Sequence, residues 1–361
     1  MNRPRFVQPD RAVVKIGSSS LRTERGELDR RLATAVVDQL AEVSEAGTEV
    51  VLVSSGAVAA GLRPLGLTRR PSDLPRLQAA ASVGQGLLLH TYRERFAKHG
   101  LACGQVLLTP DDVVDRARYL NARHTFEALL TLGAVPIVNE NDTVATEELR
   151  FGDNDRLAAL VASMLGAQLL VLLTDVEGLL DADGQVLDTV EDLNAVTVPL
   201  DRRPGSEVGS GGIASKLEAA RIAMFSGTGA VIAPARRPGV IGEVLAGGGV
   251  GTWFPPLTQR PESRKLWIAF ARTPRGVVSV DAGAVRALVD RGSSLLPVGV
   301  TGAAGSFRAG DAVDVVGPDG GVVARGLVGY DRDGIEALRA DAGSSRQAQA
   351  PVIHRNQLVV L

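Results

Sequence analysis

Residues 135–155 constrain the fold more than any other stretch, because they set two clusters of Asn and Asp around what should be one strand end. Val135-Pro136-Ile137-Val138 reads as a buried strand, and Asn139, Glu140, Asn141 and Asp142 follow it at once. Ten residues further on come Gly152, Asp153, Asn154 and Asp155, ahead of a helical pattern in Leu157, Leu160, Val161 and Met164. Asn and Asp favour turns and helix caps, and Asp153 or Asn154 is placed to cap that helix. Six such side chains in seventeen residues exceed what two turns need. At the carboxyl end of a strand in an open α/β sheet, where ligands bind, they offer amide donors to carboxylates and acceptors to ammonium groups.

The preceding chain repeats this pattern. Ala12-Val13-Val14-Lys15-Ile16 is a β-branched run that passes directly into Gly17-Ser18-Ser19-Ser20. A helical face in Leu32, Val36, Val37, Leu40 and Val43 follows, with Gly47 placed for a left-handed cap. A second strand at residues 49–53 feeds Ser54-Ser55-Gly56-Ala57. Strand, helix and strand of these lengths predict a right-handed parallel unit whose loops open on one edge. Residues 63–75, rich in proline, glycine and arginine, read as an exposed loop. A helix over 77–96, a strand over 105–108 and a helix over 119–132 complete this half.

Basic residues are nearly all arginine, and the lysines are Lys15, Lys98, Lys216 and Lys265. A lysine beside a glycine loop then points to a need for its compact charge. Lys15 precedes one such loop. Lys216 closes another, Gly209-Ser210-Gly211-Gly212-Ile213-Ala214-Ser215, which leads into a helix and so combines amide donors with an ammonium, as a phosphate site would. The loop lacks the Gly-Lys-Ser/Thr ending of a Walker A motif. Between the lysines, an apolar strand over 168–173 ends in Thr174-Asp175, which suits either a nucleotide or a turn. Residues 230–233 read as the last strand of this part.

At 361 residues the chain is long enough for two domains. Its 39 basic and 41 acidic residues nearly cancel, which gives no broad argument for nucleic acid or an anionic membrane. No apolar run is long enough to span a bilayer, and the start lacks the apolar stretch of a signal peptide, so a cytoplasmic location is expected. A lone cysteine, Cys103, excludes an internal disulfide, and the four histidines show no metal-ligand spacing. No metal site built from protein side chains is expected. The domain boundary is placed between Thr258 and Pro274, giving domains over 1–258 and 275–361 and a linker over 259–274. The second part, glycine-rich and strand-like with one helical pattern over 282–291, reads as a small β-barrel.

The ordered set Val14-Lys15-Ile16-Gly17-Ser18-Ser19, Ser54-Ser55-Gly56-Ala57, Leu120-Asn121-Ala122-Arg123, the two Asn/Asp clusters, Thr174-Asp175 and Gly211-Gly212 through Lys216 resembles the glutamate 5-kinase group of the amino acid kinase family. Arg291-Gly292-Ser293-Ser294-Leu295-Leu296-Pro297 resembles the start of the PUA domain that bacterial members carry. The resemblance implies a three-layer α/β sandwich with a mainly parallel central sheet, followed by a PUA-like barrel. It implies ATP-dependent phosphorylation of L-glutamate to L-glutamyl 5-phosphate, the first step of proline synthesis, with Mg²⁺ and inhibition by proline. Ser55, Asp142, Asn154 and Asn139 would bind glutamate. Thr174, Asp175, Ser210, Gly211, Gly212, Ile213, Ala214, Ser215, Lys216 and Lys15 would hold ATP. Lys15 and Lys216 would flank the transferred phosphoryl group, with Asp155 holding both. A homo-oligomer, dimer or tetramer, and a glutamyl phosphate reductase are the implied protein partners. PUA barrels elsewhere bind RNA, but here residues 274–361 carry nine arginines against nine acidic residues, a poor footprint for nucleic acid. Another kinase of the same fold, acting on aspartate or acetylglutamate, is the competing reading.

Overall fold

The computed structural model describes residues 8–23, 26–109, 112–113, 115–144, 154–193, 212–257, 274–341 and 350–360. The chain divides into two compact units, Met1–Arg260 and Pro261–Leu361. The expected linker over 259–274 falls almost wholly outside the described residues.

The first unit is built on a seven-stranded sheet ordered β3-β4-β2-β1-β5-β6-β7. Its strands are β1 (Arg11–Ile16), β2 (Glu49–Ser54), β3 (Cys103–Leu108), β4 (Val135–Glu140), β5 (Leu169–Thr174), β6 (Gly229–Pro234) and β7 (Thr252–Phe254). All pairs are parallel except β6 with β7. The sequence pattern ends this sheet at the 230–233 strand. The short edge strand β7 was missed because three residues behind a glycine run carry too little periodicity. Strands β1, β2, β4, β5 and β6 are buried almost throughout, as near-continuous Val/Leu/Ile runs require when helices cover both faces.

The order of strands places a topological switch at β1 and β5, since the chain winds toward β2 and β4 on one side and toward β6 on the other. The loops after β1 and β5 therefore diverge and leave a crevice at their carboxyl ends. Lys15 lies on β1 and Thr174 ends β5. β4 runs two residues past the expected end, so Asn139 and Glu140 are strand residues rather than the start of a loop.

Helix α1 (Arg30–Glu45) starts on an Asp29 side chain that accepts from Leu32 N, and Gly47 follows with φ of 98°. A short helix α2 (Ala57–Leu62), not evident in the sequence, precedes the long α3 (Leu74–Lys98). Their backbones touch: a Cβ on Gly61 would stand 1.9 Å from Ala80 O, and one on Gly84 1.8 Å from Ala57 O. Gly56, at φ 100°, makes the turn from β2 into α2. Together these glycines fix where the Ser54-Ser55 turn points. Helices α4 (Arg116–Thr131), α5 (Asn154–Leu165), α6 (Ile213–Ser226) and α7 (Val240–Leu245) complete the described cover.

In the second unit, β8 (Gly276–Val280), β9 (Val300–Gly305), β10 (Ala312–Val316), β11 (Val322–Leu327) and β12 (Leu358–Val360) form a sheet ordered β12-β11-β10-β8-β9. Helix α8 (Ala282–Arg291) coincides with the expected helical pattern, whereas α9 (Arg332–Asp341) was not anticipated. Its apolar contribution to the core is chiefly Ile335. Among the described residues the strand order is open; a single bridge from Leu295 to Ile353 links segments just before β9 and β12.

Candidate active site

At the crevice, β1, α5 and α6 bring three ionic side chains together. Lys15 Nζ contacts Asp155 Oδ1, and Lys216 Nζ lies 3.1 Å from Asp155 Oδ2. Ser215 Oγ stands 2.9 Å from the same Oδ2 and 2.8 Å from Gly212 O. The side chains of Lys15, Asp155 and Lys216 are 1%, 0% and 7% exposed. Two ammonium groups share the Asp155 carboxylate out of water, and buried charge of this kind is held only by close pairing. Lys216 also sits in the first turn of α6, where the helix dipole disfavours a cation. Gly212 caps that helix without a side chain, so the first-turn amides have no competing cap. Gly17 leaves the space before Lys15 open: a Cβ there would stand 3.5 Å from Nζ.

One residue earlier, Asn154 belongs to a neutral network. Its Nδ2 lies 3.0 Å from Ser54 O, 3.0 Å from Ser55 Oγ and 2.6 Å from Asn139 Oδ1. Asn139 Oδ1 also accepts from Glu140 N at 2.9 Å, and Asn139 Nδ2 donates to Gln85 Oε1 at 2.6 Å. The backbone fixes every amide orientation here. Glu140 N can only donate, so it selects the oxygen of Asn139, and Ser54 O can only accept, so it selects the nitrogen of Asn154. Asn154 Oδ1 is then left as an acceptor, and Ser55, whose oxygen accepts from Asn154, keeps its hydroxyl hydrogen to donate. Behind the turn, Tyr92 is buried, which pushes its phenol above the usual range, with the Ser54 hydrogen bond opposing. Because Ser54 Oγ donates to Ser55 O, Tyr92 supplies the proton of the 2.7 Å Tyr92–Ser54 bond.

The model of the amino acid kinase family matches residues 10–234, and that of the PUA domain matches residues 276–349. The chain belongs to the amino acid kinase family. Its curated relatives include glutamate 5-kinases from Thermobifida fusca, 50% identical with 99% of this chain and 95% of the relative covered, and from Salinispora arenicola, 50% identical with 99% and 100% covered. The Trichlorobacter lovleyi enzyme of the same name is 43% identical, with 100% and 99% covered. With the family's kinase domain and the added PUA domain both matched, the chain is an enzyme of the glutamate 5-kinase group.

Within this amino acid kinase, Lys15, Asp155, Lys216 and Ser215 are brought into one cluster, and Ser55, Asn139 and Asn154 into the adjoining one. Ile213 and Ala214 form the first turn of α6 beside Gly212. Thr174 is half-buried at the end of β5, where its carbonyl accepts from Ala235 N at 2.7 Å, and Asp175 is exposed just beyond. Asp142 is half-buried in the turn after β4. Ser210, Gly211, Gly152 and Asp153 lie outside the described residues. Gln85 and Tyr92 carry no sequence motif, and Ser54 is marked only as part of the turn. A signal for Gln85 was present, since Gly84-Gln85-Gly86 puts two glycines inside a helix, where each costs about 1 kcal/mol unless close packing or function requires it. No helix among the described residues is long and apolar enough to cross a membrane.

Proposed function

We propose that the enzyme transfers the γ-phosphoryl group of ATP to the side-chain carboxylate of L-glutamate, giving L-glutamyl 5-phosphate for proline biosynthesis in the cytoplasm. The observation that carries this reading is the adjacency of Asn154 and Asp155 at the start of α5. One faces a neutral network suited to an α-amino acid, the other two buried lysines suited to phosphate. The full-length similarity to glutamate 5-kinases selects the amino acid.

The acceptor carboxylate is already ionised at neutral pH, so transfer needs no strong general base. Ser55 donates to the α-carboxylate, while Asn154 Oδ1 and Asp142 accept from the α-ammonium. Asn139 spends its oxygen and one amide hydrogen within the protein and acts mainly by holding Asn154. A glutamate carboxylate oxygen attacks the γ-phosphorus in line as the bond to the β–γ bridging oxygen breaks and ADP leaves. Lys15 and Lys216 lie on the charge that must cross, and Asp155 keeps both in place. The first turn of α6, the loop before it including Ser210 and Gly211, and Thr174 and Asp175 hold the nucleotide. Mg²⁺ would be held chiefly by phosphate oxygens and water. When bound it neutralises phosphate charge.

The same reading assigns residues 1–258 to the kinase domain and 275–361 to a PUA domain with a structural or regulatory role rather than RNA binding. It includes a homo-oligomer, passage of the labile acyl phosphate to a reductase, and proline as an inhibitor in the glutamate pocket. The test is hydroxylamine trapping of acyl phosphate with ATP and Mg²⁺ on L-glutamate, L-aspartate and N-acetylglutamate. Product on glutamate alone, lost in Lys216→Ala, is expected. Turnover on another acceptor instead would overturn the substrate while sparing the phosphate site.

A further inference from the structure

A cavity of about 1010 Å³ opens in the first unit between the segment after β1 and the α2–α3 pair. Among the described residues its charged lining is Arg22, Arg30, Arg63, Arg69 and Arg70 against one acid, Glu27. In a chain with 39 basic and 41 acidic residues, five arginines among the described lining residues are a local concentration of positive charge. The Arg63–Glu27 pair, at 3.2 Å, has side chains 82% and 47% exposed, and such pairs hold little energy. Arg22, Arg30 and Arg69 form no ion pair among the described residues. The volume suits a metabolite, and guanidinium groups match carboxylate and phosphate in planar, two-pronged contacts.

We propose that this cavity binds a small multivalent anion carrying two or more phosphate or carboxylate groups. It is separate from the lysine cluster, which none of its lining residues joins. It shares a wall with the amino acid site, however. Ala59 and Ala60 of α2 line the cavity, and α2 begins directly after Ser54-Ser55-Gly56. Leu21, next to Arg22, packs on Gly56, with 3.5 Å between its Cδ1 and the position a Cβ would take. An anion drawing the arginines together therefore bears on α2 and shifts the affinity for the amino acid without touching the transfer chemistry.

The test is calorimetric titration of the full chain, free of Mg²⁺, with inorganic pyrophosphate and with citrate, on wild type, Arg22→Ala/Arg63→Ala/Arg69→Ala and Lys216→Ala. Saturable binding of at least one anion is expected, at least about tenfold weaker in the triple variant, retained in Lys216→Ala and weakened by salt. Pyrophosphate alone identifies a phosphate ligand, and citrate alone a polycarboxylate. Absence of saturable binding, binding unchanged in the triple variant, or binding lost only in Lys216→Ala, which would mark the ATP pocket, overturns the proposal. None of these titrations depends on turnover, so a wrong substrate assignment leaves the result readable. Basal glutamate turnover is expected to be unchanged in the triple variant.

Discussion

Two buried polar regions meet at Asn154 and Asp155, and they solve the cost of burial differently. The Lys15–Asp155–Lys216 cluster is ionic, with one carboxylate holding two buried ammonium groups, so its information is where charge is placed. The Gln85–Asn139–Asn154–Ser55 network is neutral and fully directional, so its information is which atom faces the ligand. On the proposed reading, two adjacent residues on one helix divide the tasks of a kinase: neutralising the phosphoryl group and orienting the acceptor. The ionic side should fail through electrostatics, the amide side through loss of orientation.

The largest break is expected from Asp155→Asn, which keeps the shape but removes the carboxylate that both buried lysines contact. Removing one member of a buried ionic set costs about 3–5 kcal/mol, and losing the alignment of both lysines should lower kcat by about a thousandfold. Urea unfolding and the acyl phosphate assay measure the two effects separately. A variant as stable as wild type would mean that the lysines do not depend on Asp155.

The amide side is sharpened by Gln85. In Gln85→Leu one donor of Asn139, buried at 3% exposure, loses its acceptor, a loss of about 1–3 kcal/mol. The KM for glutamate should rise about tenfold with that for ATP unchanged, and Gln85→Glu, which keeps an acceptor oxygen, should recover most of it. A fall in kcat with an altered ATP KM would place Gln85 on the ionic side instead. Tyr92→Phe removes one hydrogen bond behind the Ser54-Ser55 turn and should cost about 1 kcal/mol in stability, with a smaller change in glutamate KM.

The same contrast explains what could be read from the sequence. Lys15 and Lys216 stood out because lysine is rare in this chain, and Asp155 because it sits in a dense polar cluster before a helix. The sheet was legible from β-branched runs ending in small residues. The amide network was not, because Asn154 reaches Ser55 99 residues away and Asn139 reaches Gln85 54 residues away, and side-chain pairing at such separations leaves no local period. Helix α2 escaped notice because six residues, Ala-Val-Ala-Ala-Gly-Leu, hold their place by backbone contact with α3 rather than by an apolar stripe. Helix α9 is short and charged, and its link to the second core rests on few apolar residues.

The smallest effect is expected where charge is neither deeply buried nor tied to the ligand, and Asp38 provides that third regime. Asp38 on α1 meets Arg95 Nη2 at 2.6 Å and His99 Nε2 at 2.7 Å, joining α1 to α3 and the segment after it. The Arg95 guanidinium chiefly, with His99 adding and burial opposing, holds the Asp38 carboxyl below its ordinary value near 3.8. A carboxyl depressed in the folded state stabilises the fold above its unfolded value, and that contribution fades as pH falls through the folded one. Asp38→Asn should therefore melt below wild type at pH 7, with the gap closing as the solution is acidified below about pH 4. Partial exposure and salt keep the effect modest, and glutamate KM should not move. A gap that persists at the acid end would mean that packing of α1 on α3, rather than the charge of Asp38, carries the contact. A gap that closes would show that this outer ion cluster acts through the charge of Asp38.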